Sequence, residues 1–113
     1  MTTTIDEAKT IVNNIYQAND VILTDVLTRS VGTNSRGQKV YRPYWTAAFL
    51  IITEYRRIKK ADDVTFEYNE VSIKGLLALQ DALDDGLTIP LGMGVDDLLE
   101  SVTDINFLGM IVI

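Results

Sequence analysis

Tyr41-Arg42-Pro43-Tyr44-Trp45-Thr46-Ala47-Ala48-Phe49-Leu50-Ile51-Ile52-Thr53-Glu54-Tyr55-Arg56-Arg57-Ile58-Lys59-Lys60 is the stretch on which the fold turns. It reads as one helix that begins on a proline and ends on a basic cluster. Pro43 suits a first helical turn, where its missing N–H is not needed. Tyr44, Ala48, Ile51, Tyr55 and Ile58 fall at i, i+4, i+7, i+11 and i+14, and Trp45 with Ile52 widens that seam. Between Tyr44 and Ile52 only Thr46 is polar. A helix apolar nearly all round in its first half is expected to be surrounded there by its neighbours.

Upstream, Thr4-Ile5-Asp6-Glu7 fits a capping box, which places a helix start at that point. Ile5, Ala8, Ile11, Val12, Ile15 and Tyr16 share one face, with Asp6, Glu7, Lys9, Thr10, Asn13, Asn14 and Gln17 opposite, so a first helix lays a single stripe on the core. Asn19-Asp20 then caps a second helix from Val21 to about Ser30, with Ile22, Leu23, Val26 and Leu27 inward. Its β-branched content leaves a strand as the alternative. Residues 32–40 carry the Gly, Asn and Ser punctuation of an exposed loop, either a connector or a binding loop for an acidic partner through Arg36, Lys39 and Arg42. The loop is not a phosphate-binding P-loop, because Gln38-Lys39-Val40 stands where Lys-Ser/Thr must follow Gly37.

Downstream of the central helix, Val64, Phe66 and Tyr68 alternate with polar residues and predict a short extended segment. Ser72 suits the N-cap of a helix through Asp85, with Ile73, Leu76, Leu77, Leu79 and Leu83 on one face and Gly86 as its stop. Gly75, Ala78 and Ala82 make its opposite side small enough for another backbone to approach. Residues 87–94 are too apolar for a free loop and are expected to pack across the bundle. Val95, Leu98, Leu99 and Val102 then form a short amphipathic helix, with Asp96 and Asp97 at the positive end of its dipole. No side chain after Asp104 is charged. This apolar tail either closes the fold as a strand beside residues 64–68 or docks into a partner by adding a strand there. The expected fold is mainly α: a small bundle of four to five helices around a central buried helix, spanning residues 1–102, with a short extended segment and an extended tail at 103–113.

Composition narrows the function. The 113 residues include neither cysteine nor histidine, which removes thiol chemistry and the usual general base near neutral pH, so no enzyme is expected. The acid pairs Asp62-Asp63, Asp84-Asp85 and Asp96-Asp97 lack the spacing of a calcium loop and fit helix ends better, so no metal or other cofactor is expected. The start of the chain has no basic flank or apolar run typical of a signal peptide, and no uncharged stretch is long enough for a membrane span. The net charge of −6 conceals an asymmetry. Residues 1–60 hold nine Lys/Arg against five Asp/Glu, and residues 61–113 hold Lys74 against eleven. A basic half and an acidic half can complement one another between copies, although an ordinary solvated surface can segregate its signs as well.

At Tyr41-Arg42-Pro43-Tyr44-Trp45-Thr46-Ala47-Ala48-Phe49-Leu50, and again at Val71-Ser72-Ile73-Lys74-Gly75-Leu76-Leu77-Ala78-Leu79-Gln80-Asp81-Ala82-Leu83-Asp84, the chain resembles the small helical head-tail adaptor, or connector, proteins of tailed bacteriophages. The resemblance follows the helix pattern over roughly residues 4–102. It implies a structural virion protein, made in the host cytoplasm and located in the neck, that forms a homo-oligomeric ring, commonly a dodecamer. Such a ring lies between the portal protein and a downstream tail or stopper protein, and DNA passes through it without sequence-specific binding. It also implies that the C-terminal segment engages the portal, here through Asn106, Phe107, Leu108, Met110, Ile111, Val112 and Ile113. The segregated charges nominate Arg36, Lys39, Arg42, Arg56, Arg57, Lys59, Lys60, Asp84, Asp85, Asp96 and Asp97 as subunit-interface residues. The alternative is a small acidic helical protein-binding module or regulator acting as a monomer or dimer.

Overall fold

The computed structural model describes the chain over residues 2–61 and 70–102, and its side chains over 2–54 and 73–100. The expected extended segment at 64–68 and the tail at 103–113 lie outside the described residues. Within them the protein is mainly helical: α1 (Ile5–Ile15), α2 (Asp20–Arg29), α3 (Pro43–Ala61), α4 (Glu70–Leu83) and α5 (Val95–Val102), with a small hairpin of β1 (Gly32–Thr33) and β2 (Lys39–Val40). Helix α3 is the centre, in contact with each of the other four helices, while α1 pairs with α2 and α4 with α5 on its flanks.

The apolar first half of α3 explains this arrangement. Trp45, Thr46, Ala47, Ala48, Leu50, Ile51 and Ile52 are all buried, and at about 100° per residue these positions point to most sides of the helix. The apolar ones meet Ala8 and Val12 of α1, Leu23, Val26 and Leu27 of α2, Ile73 and Leu77 of α4, and Val95 and Leu98 of α5 in one core. Trp45 and Phe49, one turn apart, stack with ring centroids 5.1 Å apart. Burial of each such aliphatic side chain contributes roughly 1.5–3 kcal/mol, offset by the entropy of ordering the chain.

Several local expectations are corrected. Helix α1 starts after Thr4, yet the Thr4 side chain makes no capping bond, so the box is not formed. Asn19 does cap α2, accepting from the Val21 N–H at 2.8 Å. Ile22 was expected inward, but it is exposed beside Val21, because the buried stripe of α2 is only Leu23, Val26 and Leu27. Residues 32–40 form a two-stranded hairpin in place of a loop, with Gly32 opposite Val40 and Thr33 opposite Lys39. The turn is held by Asn34, whose Oδ1 accepts from the Arg36 and Gln38 N–H groups, and by Gly37 at φ 78°.

Helix α4 includes Glu70 and Val71, so Ser72 lies within the helix and not ahead of its first turn. Its core face is Ile73, Leu77 and Gln80, with Leu76 half-buried, whereas Leu79 and Leu83 are each 46% exposed. Residues 87–94 do cross the bundle. Thr88 exchanges both main-chain hydrogen bonds with Thr33, at 2.8 and 3.0 Å, and Met93 packs against the core, although Leu91 stands fully in solvent. Close approach here explains Gly32: a Cβ at that position would lie 3.2 Å from Leu87 and 3.3 Å from Ile89. Helix α5 opens on Gly94, whose N–H donates to Asp97 Oδ2 at 3.0 Å, half of a capping box. No helix among the described residues is long and apolar enough to cross a membrane.

Candidate partner-binding surfaces around a buried arginine

Pro43 fixes the first turn of α3 and so places Arg42 at its threshold, pointing inward. The Arg42 side chain is fully buried. Its guanidinium forms a fork on Asp84, with Nε donating to Oδ1 at 2.9 Å and Nη2 to Oδ2 at 2.7 Å. Nη1 donates to the carbonyls of Met93, at 2.5 Å, and Ser30, at 3.4 Å. The cation also lies 5.4 Å from the Trp45 ring centroid. A buried charge persists only where its desolvation is offset by such a set of partners, and the planar arginine fork meets a carboxylate with two parallel bonds.

Gln80 extends this cluster. Its Nε2 donates to Asp84 Oδ1 at 2.8 Å, and its Oε1 accepts from the N–H groups of Tyr44, at 3.2 Å, and Trp45, at 3.4 Å. The first N–H groups of a helix have no partner inside it, so α4 caps α3 from outside. Trp45 Nε1 donates to Gly94 O at 3.2 Å, and the buried Ser30 hydroxyl donates to Val26 O at 2.8 Å, with Thr46 Oγ1 3.5 Å away. The cluster therefore ties the end of α2, the start of α3, the end of α4 and the approach to α5 into one polar joint. Every group in it is consumed by another part of the chain, so its chemistry is structural.

Comparison with protein-family models, curated proteins and solved structures finds no match for this chain.

The interface candidates therefore divide by where they sit. Arg42 and Asp84 are corrected outright: both are spent on one another, with their side chains 0% and 11% exposed, and neither is offered to a neighbour. Arg36 and Lys39 are exposed on the hairpin, and Asp85, Asp96 and Asp97 are exposed at the end of α4 and the start of α5. Arg56, Arg57, Lys59 and Lys60 fall on the last turns of α3, beyond the described side chains, as do Asn106 to Ile113 in the tail. Arg36 and Asp85 both line an open groove of about 620 Å³, together with Tyr41, Tyr44, Gln80, Leu83 and Leu87. Among the described residues no three His, Cys, Asp or Glu side chains gather where they could hold a metal ion.

Sequence reasoning missed Gln80 and Ser30. The signal for Gln80 was its spacing: Ile73, Leu77, Gln80 and Asp84 follow i, i+4, i+7 and i+11, the inward face of α4 with two polar residues at its end. Ser30 carried no comparable signal, since its role is to offer a main-chain carbonyl to Arg42.

Proposed function

We propose that the protein is a structural assembly subunit, a ring-forming head-tail adaptor that sits between the portal and the tail and allows DNA to pass without sequence-specific contacts. The observation that supports this reading is that exposed charges of opposite sign are carried on different elements of one small chain. Arg36 and Lys39 project on the hairpin, while Asp96 and Asp97 lie on the opening turn of α5. A ring is built from heterologous contacts, in which one surface of a subunit meets a different surface of the next, and opposite charge on the two surfaces favours that register. The acidic balance of the chain also suits a passage that does not grip DNA.

Native mass spectrometry and negative-stain electron microscopy of the purified protein, alone and mixed with portal protein, test the proposal. The expected result is a closed ring of a single subunit number that binds the portal. A chain that never forms rings and has no affinity for portal at high concentration would overturn it. The second reading, a protein-binding module acting as a monomer or dimer, is favoured by the exposure of Leu79 and Leu83 on α4 among the described residues.

A further inference from the structure

We infer that the turn bearing Leu91 is one half of the contact between successive subunits, and that it seats in the groove beside Arg36 on the next copy. The inference rests on the ring reading and names the two surfaces that join. Leu91 is the most exposed large apolar residue among those described, with its whole side chain in solvent. Its turn is not slack. The Met93 N–H donates to Pro90 O at 3.0 Å, and Gly92 takes φ 79°, the conformation that this class of turn requires at its third position. Both feet of the turn are pinned: Thr88 is paired with Thr33, and Met93 packs on the core while its carbonyl accepts from Arg42. A single exposed leucine is ordinary on a protein surface, but one held out on a pinned turn loses little freedom when a partner covers it.

The groove of about 620 Å³ is a different surface from this turn, since Leu91 is not among the residues that line it. Tyr41, Tyr44, Leu83 and Leu87 supply its apolar lining, and its volume admits the turn as well as the leucine. A projection and a recess on different parts of one chain make a heterologous contact, which closes into a ring when the rotation between copies permits. Charge selects the second copy as the occupant. Asp97 accepts from the Gly94 N–H, and Gly94 lies three residues beyond Leu91, so at most about 11 Å along the chain. With Asp96 exposed beside it, this carboxylate gives the turn an acidic flank. Arg36 lines the groove and Lys39 is exposed on the same hairpin, and neither is paired with a carboxylate among the described residues. Asp85 lines the groove as well and repels the acidic flank, which sets the orientation: Asp96 and Asp97 approach the hairpin and stay clear of the end of α4. One turn in one groove is a small contact, so free subunits associate weakly and the assembly gains from closure, in which every copy makes the contact twice.

The chain has no cysteine, so a single thiol can be placed on either surface. Leu91→Cys and Leu83→Cys, one of them carrying a size tag, are mixed with and without portal protein and treated with a short thiol-to-thiol cross-linker. The mixture is expected to yield a covalent pair of unlike chains, and neither variant alone is expected to cross-link. By sedimentation equilibrium Leu91→Gln is expected to lose the assemblies that the unmodified protein forms. Arg36→Glu is expected to weaken them about fivefold, the scale of one exposed ion pair, and adding Asp96→Lys to restore them. All three side chains are exposed, so circular dichroism should show each variant folded. Rings that form equally well with Leu91→Gln, or that contain no link between positions 91 and 83, overturn the inference and leave the adaptor reading standing. Linkage of Leu91→Cys to itself overturns it in the same way. Open chains of subunits that depend on Leu91 but neither close nor bind portal keep the contact and overturn the adaptor reading. A protein that stays monomeric up to about 1 mM, with portal present, overturns both.

Discussion

Replacing Arg42 by methionine keeps most of the side-chain volume and removes the charge, which isolates what the cation does. The substitution removes two charge-assisted bonds to Asp84 and leaves the Met93 and Ser30 carbonyls without their donor. It also strands the Asp84 carboxylate at 11% side-chain exposure. Breaking a buried pair from one side costs about 3–5 kcal/mol, because the remaining charge stays desolvated. Against the roughly 5–15 kcal/mol that holds a small domain folded, this is a large fraction. Urea unfolding followed at Trp45, which lies against Arg42, should register a lower midpoint with little change in slope. The paired variant Arg42→Met with Asp84→Leu removes both charges and is expected to regain most of the loss, leaving a cost of about 1–2 kcal/mol from the unmatched carbonyls and Gln80. A loss below about 1 kcal/mol for Arg42→Met alone, or a double variant no better than the single, would refute the account of the joint as a mutually neutralised pair.

Gln80→Leu should cost about 1–3 kcal/mol in the same assay, since it strips the Tyr44 and Trp45 N–H groups of their acceptor and Asp84 of a donor. Gly86, at φ 79°, and Gly75, mid-helix with open space around it, should respond oppositely to alanine. Gly86→Ala is expected to lower stability by about 1 kcal/mol and Gly75→Ala to raise it by up to about 1 kcal/mol, as read from thermal melts at low protein concentration. Deleting residues 106–113 distinguishes the two roles of the tail: under the adaptor reading the truncated protein keeps its melting temperature and fails to bind portal, whereas a drop in melting temperature assigns the tail to the core.

The arrangement of helices was legible because it rests on patterns carried within single segments. The all-round apolarity of Tyr44 to Ile52 announced a surrounded helix, and the stripe through Ile5, Ala8 and Val12 announced a helix with one face on the core, although Ile15, placed on that face by its spacing, is exposed at the helix end. Gly86 marked the end of α4, where it takes the positive φ that other residues avoid. The hairpin was not legible, because Gly32-Thr33 and Lys39-Val40 are too short and too polar to show alternation, and their pairing is fixed by Asn34 and by Thr88 some fifty residues on. The inward face of α4 was misplaced for a related reason. Apolarity alone ranks Leu79 and Leu83 above Gln80 and Asp84, and only the presence of a buried cation from another segment reverses that order. Arg42, read from the sequence, is one of three cations in an exposed stretch. Its burial depends on Asp84, forty-two positions later, which no local pattern reveals.

The external capping of α3 bears on the order in which the chain can be completed. The partners of its first turn stand far downstream: Gln80 lies 36 positions after Tyr44, and Met93 lies 51 after Arg42. As the polypeptide emerges during synthesis, α1, α2 and the apolar half of α3 can gather while Arg42 still needs water around it. The molecule becomes self-sufficient only when the segment bearing Met93 and Gly94 has arrived. A product terminated before Asp84 would carry an unneutralised cation beside Trp45, and one terminated between Asp84 and Met93 would carry the ion pair with one of its carbonyl partners missing.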